Sequence, residues 1–205
     1  MSKFIFLFTL LFLPPIFSSD IPDQVSQAFL KGQYSVVAEL EEKALKENPP
    51  DSQTLNTLAR YHFLFCEYSK ATKIFQKSLS LKHSDETLYF YIQSLRAEGK
   101  HLEAYKIIDQ LSQDSKKETL VTLTLTAQSH RFKGDHKQAR RIARKVRKLY
   151  RKTKKTAMDY FYYGVALEDY APIEAYNAFQ RAYKLDKTRY DYHIAAAEHC
   201  QTYYA

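Results

Sequence analysis

From about residue 20 onwards the apolar positions of this chain recur every three or four residues, the period of a helix that buries one face. The pattern is clearest between Met158 and Lys187. Tyr160, Gly164 and Leu167 share one face, a turn with Pro172 follows, and Ala175, Phe179 and Ala182 share the face of a second helix. The Ala175 position recurs upstream as Ala139, Ala104, Ala71 and Val37, at intervals of 36, 35, 33 and 34 residues. Other positions keep step with this anchor. Five residues before it stand Gly32, Cys66, Gly99 and Gly134, where a tight reversal between helices is expected. Four residues after it stand Phe75, Ile108, Ala143 and Phe179, and seven after it Ala44, Ser78, Leu111, Val146 and Ala182. The chain therefore reads as consecutive helix pairs. One stretch runs against this, because Thr119 to Ala127 alternates Thr with Leu or Val, a period suited to a strand. The repeat predicts a helix there, paired with Ala139 to Tyr150.

A helical repeat of about 34 residues is the period of tetratricopeptide repeats. Across roughly residues 20–188, in about five units, the chain resembles that family. The resemblance implies an all-α fold, an α-solenoid of about five helix pairs in which first helices line a concave groove and second helices form the outer wall. Residues 189–205 then supply a C-terminal capping helix, with Tyr192, Ala195, Ala196 and His199 spaced to cover the open end of the stack. Solenoids of this kind are expected to bind protein or peptide partners without performing chemistry.

Projecting the groove-facing offsets of the repeat onto this chain gives Asn56, Arg60, Phe63, Tyr89, Gln93, Arg96, Thr124, Gln128, Phe161 and Tyr162. Aromatic platforms combined with amide and guanidinium donors suit an extended peptide, whose backbone needs hydrogen-bond partners and whose side chains need pockets. The alternative is that the aromatics pack helix against helix and the polar groups are merely solvated. The family's clamp for the carboxylate-terminated tails of cytosolic chaperones uses Lys and Asn on successive first helices. Here Pro22, Ser26, Thr57 and Tyr89 stand at those places, so that partner is not expected.

Charge changes the picture at one place. The 205 residues carry a formal net charge of +8, yet residues 131–155 hold thirteen Lys or Arg and the single acid Asp135. On a helical wheel Ile142, Ala143, Val146, Leu149 and Tyr150 fall within an arc of about 120°. Arg140, Arg141, Arg144, Lys145, Arg147, Lys148, Arg151 and Lys152 fall on the other side. Such a ridge suits an anionic membrane surface or an envelope polyanion; a solvated face that aids solubility is the alternative. An apolar stripe needed for the core cannot also enter a bilayer, so surface attraction is the membrane mode expected.

The N-terminal segment reads as an export signal over residues 1–19, with Lys3 before an apolar run from Phe4 to Phe17 and small residues at Ser18 and Ser19. Pro14-Pro15 interrupts the run short of the ~20 apolar residues that a membrane span requires. An uncleaved anchor and a merely hydrophobic terminus are the alternatives. Export makes nucleic acid an unexpected partner despite the basic ridge, and the absence of an Asn-x-Ser/Thr site points to a bacterial periplasm or envelope.

Candidate chemistry is sparse. Four glycines in 205 residues leave little for phosphate loops or dinucleotide fingerprints. His62 and Cys66 form a two-ligand fragment without a second pair at metal spacing, and His193, His199 and Cys200 lack a visible orienting partner. No catalytic residue, metal or cofactor is expected. Cys66 and Cys200 belong to distant units and are not expected to form a disulfide. The reading is a non-enzymatic interaction scaffold of the bacterial periplasm or envelope. The alternatives are a membrane-associated assembly factor, held by the terminal segment and the ridge, and an unrecognised enzyme.

Overall fold

The computed structural model describes residues 21–46, 51–113, 118–153 and 155–204. The export signal expected over 1–19 lies outside the described residues. Among these residues eleven helices follow one another: α1 (Ile21–Leu30), α2 (Tyr34–Lys46), α3 (Ser52–Leu64), α4 (Tyr68–Leu81), α5 (Asp85–Ala97), α6 (His101–Gln113), α7 (Leu120–Phe132), α8 (His136–Tyr150), α9 (Ala157–Leu167), α10 (Pro172–Leu185) and α11 (Tyr190–Tyr204). Among the described residues there is no strand.

Helix starts are set by short polar side chains that satisfy the first free amides. The Asp51 carboxylate accepts from the Thr54 amide at 2.7 Å, and Asp135 accepts from that of Gln138 at 3.1 Å. Thr119 and Thr122 exchange side chain and backbone bonds as a capping box, as do Thr156 and Asp159. The Thr119 cap explains why the strand-like alternation of α7 becomes helix. Both faces of that helix are buried between neighbours, so its apolar residues need no single stripe. Pro172 stands at the first turn of α10, where the missing amide hydrogen costs nothing.

Helix ends repeat one geometry. Gly32, Gly99 and Gly134 have φ of 68°, 83° and 78°, and Cys66 at the same register position has φ 61°. The amide one residue further on then reaches back five residues. Gln33 donates to the Ala28 carbonyl at 2.9 Å, Glu67 to His62 at 2.9 Å, Lys100 to Leu95 at 2.8 Å and Asp135 to His130 at 2.8 Å. The same left-handed cap therefore closes the first helix of four successive pairs.

Packing follows the repeat. Within the pairs, α1 meets α2, α3 meets α4, α5 meets α6, α7 meets α8 and α9 meets α10; between pairs, α1, α3, α5, α7 and α9 also pack on one another in order. The anchor residues Val37, Ala71, Ala104, Ala139 and Ala175 are all at most 7% exposed, small enough to let paired helices approach closely. One continuous core runs from α3 to α11, and a smaller one joins α1 and α2 to Leu58 and Tyr61 of α3. The second joint is reinforced by Glu41, buried in α2, which takes His62 Nε2 at 3.1 Å and Lys70 Nζ at 2.9 Å. Gly164 serves as a close-packing site: the ring of Phe179 fills the space a methyl group would need.

Candidate functional site

The first helices bend tightly enough for α5 and α9 to touch across α7. The Tyr89 ring lies 5.5 Å from that of Phe161 and 5.3 Å from that of Tyr162, and Phe90 lies 6.4 Å from Phe161. The last helix, α11, packs on α10 and also reaches back over the first-helix side. Tyr192 is buried 5.3 Å from Phe161, and Asp191 bonds to Arg60 of α3, 131 residues upstream.

That reach is held by a closed ring of four charges. Arg60 lies 3.4 Å from Glu86 and 2.8 Å from Asp191, while Arg189 lies 2.7 Å from each of the same two acids. Both guanidinium groups stand over the Phe90 ring, at 5.6 and 5.9 Å from its centroid. Burial raises the pKa of the Asp191 carboxyl, but the Arg60 and Arg189 charges overcome it and hold the group down at about 2. Burial pulls the Arg189 guanidinium down, and Asp191 with Glu86 carries it above the ordinary arginine value. A ring of two cations and two anions can stay dry because each charge faces two of opposite sign.

Between α11 and the first helices lies a cleft of about 640 Å³. Its walls are Phe63 of α3; Tyr89, Phe90, Gln93 and Arg96 of α5; Gln128 and Phe132 of α7; Phe161 and Val165 of α9; and Ile194, Ala195 and Glu198 of α11. Gln128 organises the polar side. Its Oε1 accepts from Gln93 Nε2 at 2.9 Å and from Arg96 Nη1 at 3.2 Å. Burial pushes the Tyr89 phenol well above its ordinary pKa, so Tyr89 stays neutral here. A mostly apolar cavity of this size, with amide, guanidinium and carboxylate groups converging on it, has the make-up of a ligand site.

Six of the ten expected groove residues meet in this cleft: Phe63, Tyr89, Gln93, Arg96, Gln128 and Phe161. The other four lie outside its walls. Asn56 is buried in α3, Arg60 belongs to the charge ring, and Thr124 is fully buried with its hydroxyl donating to the Tyr162 carbonyl at 3.2 Å. Tyr162 is 4% exposed and its phenol is pushed far up by burial. The repeat offsets missed Phe90, Phe132 and every contribution of α11. Arg189 and Asp191 could have been noticed as charges flanking Tyr192, which the helical spacing places on the covered face.

On the outer wall, α8 buries Ala143, Val146 and Tyr150, and Tyr150 stacks on Tyr163 with ring centroids 3.9 Å apart. Arg140, Arg141, Arg144, Lys145, Lys148, Arg151 and Lys152 are exposed. Arg147 is turned partly inward and pairs with Glu174 at 2.6 Å; the same carboxylate accepts from the Tyr163 hydroxyl. Lys145 meets Glu118 at 3.1 Å, and Arg140 stands 5.4 Å from the Tyr170 centroid. Among the described residues Arg141, Arg144, Lys148, Arg151 and Lys152 face no carboxylate within ion-pair distance. The Cys66 thiol is free and exposed, and His62 bonds to Glu67 and Glu41 within the helix stack. No group of metal-binding side chains occurs among the described residues, and no helix among them is long and apolar enough to cross a membrane.

The fold and cleft define a tetratricopeptide-like α-solenoid with a ligand-sized cavity on its first-helix side. No protein-family model and no curated protein matches the chain in sequence. Solved structures do resemble it. A thermophilic tetratricopeptide repeat protein of Thermus thermophilus, TTC0263, superposes with a TM-score of 0.53 at 16% identity, covering 88% of this chain and 97% of that one. The APC/C hetero-tetramer Cut9–Hcn1 gives a TM-score of 0.35 at 14% identity over 90% of this chain and 43% of that chain. The first likeness bears out the α-solenoid expected from the 34-residue period.

Proposed function

We propose that this protein is a non-enzymatic interaction scaffold that holds a peptide or protein segment in the cleft between α11 and the first helices. The observation that carries the reading is the cleft itself, about 640 Å³, with α11 opposite the first helices α3, α5, α7 and α9 and an amide–guanidinium cluster on one side. Phe63 and Phe132 keep aromatic surface for side chains, and the half-buried Gln93 amide stands on the wall where a peptide backbone would pass. The tetratricopeptide-like fold supports a binding role, since solenoids present extended inner surfaces. The apolar segment Phe4–Phe17 behind Lys3 supports placing the protein in a bacterial periplasm or envelope.

The second reading is attachment to an anionic envelope surface through α8, with the N-terminal segment retained as an anchor. It is favoured by five exposed cations that face no carboxylate among the described residues. One experiment separates the two. Affinity capture from envelope extracts is run with the wild type, with Ala195→Trp, which fills the cleft from α11, and with the triple change Arg140→Glu, Arg144→Glu and Lys148→Glu. The cleft reading expects Ala195→Trp to lose the captured proteins and the ridge variant to keep them. Recovery of the same proteins by Ala195→Trp overturns it. Loss of binding to anionic liposomes in the ridge variant alone supports the second reading.

A further inference from the structure

The ring described above gives each of its guanidinium groups two carboxylates, Glu86 and Asp191. Arg96 has none. It lies on the wall of the cleft, 8% exposed, and its one hydrogen bond goes to a neutral amide, Gln128 Oε1 at 3.2 Å. Its Nε and Nη2 are buried without a partner. Those two nitrogens form the edge that takes a carboxylate side-on with two parallel bonds. Glu168, which also lines the cleft, is taken by Arg131 at 3.3 Å, and so is Asp169 at 3.1 Å. The face of the Arg96 guanidinium is covered by Phe132, with its centroid 4.9 Å away. Phe132 is the last residue of α7 and 56% exposed, and its ring also lies 5.2 Å from the Arg131 guanidinium.

A buried guanidinium that lacks a counter-charge is costly, and a fold keeps one only where something else offsets the cost. The surroundings also narrow what the counter-charge belongs to. Phosphate or sulfate would have to leave water for an apolar wall, whereas a carboxylate attached to an apolar group brings its own complement to Phe63 and Phe132.

We propose that the cleft recognises an acidic apolar peptide, one carboxylate of which pairs with the Nε–Nη2 edge of Arg96 while neighbouring apolar side chains lie on Phe63 and Phe132. The proposal rests on the peptide-binding reading and specifies its ligand. The carboxylate is that of an Asp or Glu side chain or that of a chain terminus; both present the same chemistry to Arg96.

Three fluorescent hexapeptides sharing one Leu- and Phe-rich sequence test it by anisotropy. One carries an internal Glu and an amidated terminus, the second Gln in its place with an amidated terminus, and the third Gln with a free terminal carboxylate. The wild type is expected to bind at least one carboxylate peptide about tenfold or more tightly than the neutral peptide, the range of a charged hydrogen-bonded pair. Which one prevails identifies the source of the carboxylate. Arg96→Met is expected to bring all three affinities within about twofold of one another while still binding the neutral peptide. Equal binding of all three by the wild type, a preference that survives Arg96→Met, or no binding of any of them overturns the carboxylate proposal. The cleft reading stands or falls separately, on capture by the Ala195→Trp variant. Melting temperature supplies the structural control. Removing a charge that has no partner is expected to leave Tm unchanged or higher, whereas a fall shows that Arg96 serves the fold instead.

Discussion

The charge ring that fastens α11 gives a prediction whose size follows from the structure. Asp191 Oδ1 takes Arg60 Nη2 at 2.8 Å and Arg189 Nε at 3.0 Å, and Oδ2 takes Arg189 Nη2 at 2.7 Å. Asp191→Asn keeps the shape but removes the negative charge and turns an NH₂ group toward a guanidinium. The carboxyl titrates at about 2 in the folded protein against 3.8 unperturbed. At ~1.4 kcal/mol per pH unit this difference is worth about 2 kcal/mol. Breaking a buried ion pair costs about 3–5 kcal/mol when the partner is left uncompensated, and here Glu86 still compensates part of it. The expected loss is therefore about 2–4 kcal/mol at neutral pH, concentrated in α11, which the ring fastens to α3 and α5. The sign with pH follows from the depressed value. The contribution of Asp191 is fully present above about pH 4 and is lost as pH falls through about 2. Wild type and Asp191→Asn should therefore converge on acidification, while the gap stays constant from pH 5 to 8. Hydrogen exchange of the α11 amides at pH 7, with thermal unfolding from pH 8 down to about pH 2, measures both. Exchange equal to wild type at pH 7, or a gap that does not close on acidification, would refute the reasoning.

The repeat register supplies two more tests. In Gly164→Ala the new methyl would stand 2.5 Å from Cε1 of Phe179, a fully buried ring that cannot withdraw. The clash, ~1–3 kcal/mol, outweighs the ~1 kcal/mol of helix propensity gained, so Tm should fall by several degrees. The loss should shrink in a Phe179→Leu background, and an unchanged Tm in the single variant would refute the close contact. Cys66 adopts φ 61° in a position its neighbouring repeats give to glycine. Cys66→Gly relieves about 1–2 kcal/mol of left-handed strain against the ~0.5–1 kcal/mol that glycine costs in the unfolded chain. A rise in Tm of a few degrees is expected, and Cys66→Ala, which stays strained, should show none. A rise in both would point to the thiol and away from the backbone.

What the sequence made legible was whatever repeats. The small residue where paired helices meet and the left-handed residue that ends the first helix of the first four pairs recur in register, so position alone announces them. Cys66 shows the strength of this: spacing predicted a reversal where the residue type argued against one, and φ is positive there. The Thr-rich stretch shows it too, since a cap at Thr119 and burial on two faces made a helix from a strand-like pattern. The cleft was legible only where it follows the repeat. Phe63, Tyr89, Gln93, Arg96, Gln128 and Phe161 sit at offsets shared by successive first helices and converge on it. Asn56 and Thr124 share those offsets and lie elsewhere, because curvature decides which inner residues face a cavity and which are pinched between helices. Curvature accumulates over several pairs and has no local signature. The same holds for α11. Its helical spacing predicts a covered face, but the return to α3 depends on Arg60, Glu86, Arg189 and Asp191, four charges spread over 131 residues. Each taken alone reads as a solvated surface residue. They become a partly buried ring because α11 returns over the first helices, with Tyr192 against Phe161 and Asp191 against Arg60. The α11 wall of the cleft is therefore tied to the charge ring, and a change at Asp191 should alter both the stability of α11 and the shape of the site it encloses.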